Sequence, residues 1–270
     1  MTRWGKARNL ARQGKLATMN TRLLPVMAVA AVWMATPAAA APAIPVNVCG
    51  QNLDNPGAQY VLPGNLDCMD MDAVIITAPD IRFSLNGFTL NCVAFQESCG
   101  GIVVLSEAHR TRITGGVVTS SATGIKIEGA TGVQISGVTI SAPGGILAVG
   151  AHDCRISGNI IVSTTGVGLP ATNRCRVLKN GITATSNGVE ALRHVDFPSD
   201  NVIRENTINM TGTLFGRVGI RLGEGTTFNT VQGNTVSGGS PDLQDLNPGC
   251  GTNDWKKNTF TTSEPAACIK

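Results

Sequence analysis

The chain has 270 residues, of which 42% are hydrophobic and 14% charged, with 32 glycines and a single tyrosine. That hydrophobic share excludes a disordered chain, and the scarcity of helix-favouring residues beside many β-branched ones argues for strands joined by tight corners. The net charge is +3, yet six of the 21 basic residues and none of the 18 acidic ones precede Ala41; the remainder carries −3, so the basic balance gives no support to nucleic-acid binding.

The first 40 residues read as an export signal. Arg3, Lys6, Arg8, Arg12, Lys15 and Arg22 precede an apolar run from Leu23 to Met34, and Ala38-Ala39-Ala40 fits a cleavage site. Met19 offers an alternative start. The apolar run is too short to span a bilayer comfortably, so the mature protein is expected to carry no membrane span.

Residues 41–73 are expected to form an N-terminal cap, 74–240 a repeat domain, and 241–270 a C-terminal coil and cap. All eight cysteines lie after residue 40, an even number suited to an oxidising compartment. Their spacing suggests local pairs: Cys49 with Cys68, Cys92 with Cys99, Cys154 with Cys175, and Cys250 with Cys268. A zinc site would want close C-x-x-C pairs, and there are none.

Within the repeat domain a glycine followed by an apolar alternation recurs at Gly101, Gly124, Gly145, Gly166, Gly188 and Gly219. A second pattern, apolar-x-x-Asn-x-apolar, follows each later glycine, as in Ile156…Asn159…Ile161 and Val231…Asn234…Val236. The period-2 alternation marks strands. Three short strands per repeat of about 21 residues bury their apolar sides only by stacking on the next repeat, at about 4.8 Å. The expected fold is therefore all-β: a right-handed parallel β-helix of about eight coils with disulfide-tied caps. Stacked asparagines would form a ladder inside one turn.

These repeats, with the opening segment from Asp80 to Leu90, resemble the pectate-lyase-like superfamily of parallel β-helix proteins across roughly residues 74–260. The resemblance implies a shallow groove for an extended polymer and makes a polysaccharide the expected partner; fold analogy licenses no more. The outward file of the first strand reads Val103, Lys126, Leu147, Gly168, Glu190, Arg221, and the following turns add Arg193, His194 and Glu224. Lys126, Glu190, Arg193, His194, Arg221 and Glu224 are thus the candidate substrate-binding residues, densest over the later coils. A cation there would hold a uronate carboxylate, and Arg or His near the ring would serve β-elimination. Lyase chemistry is accordingly the expected activity of a catalytic version, and a non-enzymatic envelope or surface scaffold is the alternative.

No specific catalytic residue, metal ligand or cofactor is expected. His109, His152 and His194 occupy similar turns in non-adjacent coils, about 10 Å apart at two-coil separation. Asp67, Asp70 and Asp72 form the densest acidic run and the only place where calcium is considered. A hydrolase would need grouped carboxylates that the central coils lack. A column of Thr89, Thr139, Thr207, Thr235 and Thr259 raises an ice-binding or adhesive face, but Val117, Ile160 and Gly181 interrupt it. Oligomeric state, and periplasm versus the exterior, are left open by the sequence.

Overall fold

A computed structural model describes residues 41–94, 99–213 and 216–270. The export signal and the Met19 start lie outside the described residues. The described chain from Ala41 onward forms one compact unit.

Every paired strand runs parallel to its neighbours. One sheet stacks ten short strands, from Ile44–Pro45 through Arg155–Ser157 and Arg176–Leu178 to Asp254–Lys256. The second sheet supplies the rest of each coil, with long strands such as Thr139–Val149, Ile160–Gly168 and Gly181–Ala191. The protein is a parallel β-helix of about nine turns. One turn beyond the repeat-based expectation comes from residues 44–69, where Gln51–Leu53 pairs with Val74–Ile76 and Gln59–Val61 with Arg82–Ser84. At the other end Leu243–Asp245 and Ser263–Glu264 continue the second sheet.

The core follows from the repeat. Ile102, Ile125, Ile146, Val167, Val189 and Ile220 stack in register and are fully or almost fully buried. Ile113, Ile135, Ile156, Val177, Ile203 and Val231 form the facing column. The repeated glycine has a steric cause. At Gly166 an added Cβ would lie 2.5 Å from Ile182 Cγ2 and closer still to the Gly188 carbonyl, so the coil can bend there only without a side chain.

Two asparagine ladders bracket the ten-stranded sheet. The expected one runs Asn159, Asn180, Asn206, Asn234, Asn258: after Asn159, whose amide oxygen accepts from Val138 N–H, each amide oxygen accepts from the backbone N–H and the side-chain amide of the asparagine one turn earlier. The other runs Asn201, Asn229, Asn253, five residues earlier in each coil. In the two preceding turns its place is taken by Cys154 and Cys175. Cys154 N–H points to Cys175 Sγ at 3.3 Å, and Cys175 N–H donates to Asn201 Oδ1 at 2.9 Å.

These two cysteines are bonded with a Cα separation of 4.4 Å; the other pairs are Cys49–Cys68, Cys92–Cys99 and Cys250–Cys268. The Cys154–Cys175 bond therefore does the ladder's work in covalent form. Two substitutions separate bond from position. Cys154→Ala with Cys175→Ala should lower stability by about 2–4 kcal/mol. Cys154→Asn with Cys175→Asn should recover a measurable part of that loss, because Asn at 175 meets the Ala151 carbonyl and Asn201 Oδ1. Urea denaturation reads both; an Asn pair no more stable than the Ala pair would contradict the assignment.

Candidate functional site

The outward file of the second sheet runs Val103, Lys126, Leu147, Gly168, Glu190, Arg221 and continues to Gln244 and Glu264. Glu190 and Arg221 are register partners on adjacent turns. Arg221 nevertheless turns away: Nε donates to Gln244 Oε1 at 2.9 Å and Nη2 to the Gly216 carbonyl at 3.3 Å. Gln244 passes the contact on to Glu264 at 2.9 Å. Glu190 is left half-buried without a salt bridge among the described residues, and burial pushes its carboxyl pKa up, with the Arg221 charge opposing the shift.

The loop after Glu190 adds the rest. Arg193 stacks over the Phe197 ring at 4.6 Å, a cation–π contact that holds the guanidinium in place. The Cδ1–Cε1 part of the ring lies against Gly225, where φ is +81° and a Cβ would overlap the ring. Leu192, Arg193, Phe197, Gly223, Glu224, Gly225 and Leu246 line a shallow cavity of about 440 Å³. Rigid coils and a glycine thus place an arginine, a carboxylate and an apolar floor around one depression.

Two of the six sequence-derived residues, Arg193 and Glu224, line this cavity, while Glu190 and Arg221 stand as register partners on the strands that lead into its two loops. His194 is exposed on the same loop as Arg193. Lys126 does not join them. It stands three turns earlier and is neutralised by Glu128 at 2.5 Å.

A second face escaped the sequence reading. Along the ten-stranded sheet the outward positions Arg82, Arg112, Gln134, Arg155 and Arg176 are in register. All four arginines are exposed, and none makes a salt bridge or a side-chain hydrogen bond among the described residues. The available signal was an Arg directly before the apolar residue of each repeat, in Arg82-Phe83, Arg112-Ile113, Arg155-Ile156 and Arg176-Val177.

Residues 72–265 match the family model NosD, described as periplasmic copper-binding protein. The chain belongs to the NosD family. A periplasmic family agrees with the export read from residues 1–40, and among the described residues no helix is long and apolar enough to cross a membrane. No protein of curated function matches the sequence. The fold is similar to that of the Dettilon tailspike protein (gp208), at 14% identity and TM-score 0.58 over 83% of this chain; the chain spans only 56% of the tailspike. An alginate lyase from Paenibacillus sp. str. FPU-7 aligns at 12% identity and TM-score 0.45, over 80% of this chain and 99% of the lyase. The surface adhesin PfbA of Streptococcus pneumoniae aligns at 9% identity and TM-score 0.34, over 78% and 75%.

The copper in the family's description was tested against the donors present. Copper favours thiolate, thioether and imidazole ligands. Every cysteine of this chain is in a disulfide. His109 Nδ1 accepts from Thr131 N–H at 3.0 Å, and His152 Nδ1 lies 3.4 Å from Asn173 Nδ2, two turns from His109. Among the described residues no three His, Cys, Asp or Glu converge. Among the described residues the cysteines and histidines assemble no copper site; of the thioethers, Met69 and Met71 are exposed two residues apart. The carboxylates considered for calcium are also used separately, Asp67 by Asn91 and Asp72 by the Gly100 N–H.

Proposed function

We propose that the mature chain is an exported polysaccharide-binding protein whose site lies over the later coils. The observation that supports this most is the cavity that Arg193, Glu224 and the Phe197 ring line together. Sugars present hydroxyl pairs and an apolar ring edge. A guanidinium and a carboxylate take the hydroxyls in paired hydrogen bonds, and Phe197, Leu192 and Leu246 take the apolar edge. The scaffold is rigid, so little order is lost on binding. Uronate sugars would add a carboxylate for Arg193.

Replacing Arg193, His194 and Arg221 together with Ala should weaken polysaccharide binding while leaving the melting temperature within about 2 °C, because surface changes of this kind move stability little. The same incubation reads chemistry: an unsaturated product absorbing in the ultraviolet would mark a lyase. A polysaccharide affinity unchanged by the triple substitution removes this site.

A further inference from the structure

We propose that the outward face of the ten-stranded sheet is a separate binding face that holds a linear acidic polysaccharide parallel to the solenoid axis. It lies on a different sheet from the later-coil cavity and does not depend on that reading.

The face carries two files side by side. One is cationic: Arg82 and Arg112 on adjacent turns, Gln134 on the next, then Arg155 and Arg176 on the following two. The other is hydroxylic: Ser84, Thr114, Ser136 and Ser157, two residues further along the same strands. Three acids flank the cationic file: Asp80 and Asp153 are engaged by arginines, and Asp200, which lines a cleft with Arg176, accepts from Ser199 Oγ at 3.0 Å. Arg110 grips Asp80 in two hydrogen bonds of 2.7 and 2.6 Å, and Arg174 grips Asp153 at 2.7 and 2.9 Å. Those pairs hold both carboxyls below the usual carboxylate range; Arg82 and Arg176 feel their field without bonding to them. The four file arginines therefore keep their donors free on a mature chain whose net charge is negative, a local attraction set against an overall repulsion of anions.

The geometry also selects the ligand. Stacked turns repeat at about 4.8 Å, close to the length of one pyranose unit in a linear chain. Carboxylates on successive sugars thus meet guanidinium groups on successive turns, in the bidentate pairing that suits Arg. Sugar hydroxyls meet the Ser and Thr file. Clefts open at both ends of the stripe, one lined by Arg82, Ser84, Arg112 and Thr114, the other by Arg155, Ser157, Lys179, Arg204 and Glu205, whose carboxylate is paired with Lys179 and Arg204. No exposed aromatic ring among the described residues stands on the turns from Arg82 to Arg176, so the stacking platform a single-stranded nucleic acid wants is missing.

The test uses the mature chain and titrates it, by calorimetry, with an oligogalacturonate hexamer, a neutral glucan hexamer and a short single-stranded oligothymidylate. The hexauronate should bind, more weakly as salt rises, and the neutral hexamer should not bind this face. Arg155→Gln with Arg176→Gln should weaken hexauronate binding about tenfold or more, as the loss of one charge-assisted pair implies. Arg82→Gln with Arg112→Gln is an independent pair with the same expectation. A hexauronate affinity unchanged in both pairs overturns the proposal, as does tighter binding of the oligonucleotide. The Arg193/His194/Arg221 triple variant keeps the two sites apart. Loss of hexauronate binding in that variant alone would leave the later-coil site standing and remove this one, whereas loss in the arginine pairs alone would do the reverse.

Discussion

Asn206→Ala should lower stability by about 3–6 kcal/mol. The side chain is buried and stands mid-ladder. Its Oδ1 accepts from Asn180 N–H at 2.9 Å and Asn180 Nδ2 at 3.0 Å, and its Nδ2 donates to the Val177 carbonyl and to Asn234 Oδ1, both at 2.9 Å. Alanine strands two donors on Asn180 and the Val177 carbonyl in a site water does not reach, at about 1–3 kcal/mol for each buried group left unmade. For a chain of this size the melting temperature should fall by about 10 °C or more. Asn258→Ala, at the partly exposed end of the same ladder, should cost much less, because solvent replaces the lost partners. Equal losses at the two positions, read by thermal melting, would show that the ladder's satisfaction of buried donors is not what stabilises the turn.

Gly166→Ala should be among the most damaging single methyls in the solenoid. The new Cβ meets the Gly188 carbonyl and Ile182 Cγ2 of the next coil, backbone and a packed β-branched side chain, and neither can swing aside. Separating the coils would break the register between Ile160–Gly168 and Gly181–Ala191. Overpacking of this kind costs about 3 kcal/mol or more, at the high end of its range. Gly181→Ala is the matched control: it is exposed, and a Cβ there has no atom within 4 Å. Its effect should stay within about 0.5 kcal/mol. A Gly166 variant as stable as the Gly181 variant in urea titration would mean the glycine column is not set by coil spacing.

These two positions also explain why the fold was readable. The glycine and the ladder asparagine recur because each coil repeats the same steric and hydrogen-bonding problem, so the solution appears in the sequence at a near-constant interval. Residues 44–69 wind as a turn in which Gly50 holds the glycine's place in register, but Gln51 follows it where the later repeats have Ile or Val and Ala73 replaces the glycine one turn on, so nothing periodic announces it. The second ladder was masked for a chemical reason. Cys154 and Cys175 fill its first two places and read as a local staple, so the five-residue step from Asn201 to Asn206, from Asn229 to Asn234 and from Asn253 to Asn258 looked like the first ladder alone.

The site was legible only in part. The neighbouring positions of Glu190 and Arg221 follow directly from register. That Arg221 would bond Gln244 does not, since the choice depends on a side chain one coil further on. Likewise nothing in the spacing says that Phe197 folds onto Gly225 to seat Arg193. The arginine file was hidden by distance: its members stand 30, 43 and 21 residues apart in the chain and become neighbours only once the strands of the ten-stranded sheet are aligned.

The most direct test of polysaccharide binding is affinity electrophoresis of the mature chain in native gels containing, in turn, an acidic and a neutral polysaccharide. Mobility should fall in the acidic gel in proportion to polymer concentration, and the fall should be largest at low salt. Unchanged mobility in every gel, for a chain whose thermal melt shows it folded, would contradict the account and leave the solenoid as a scaffold.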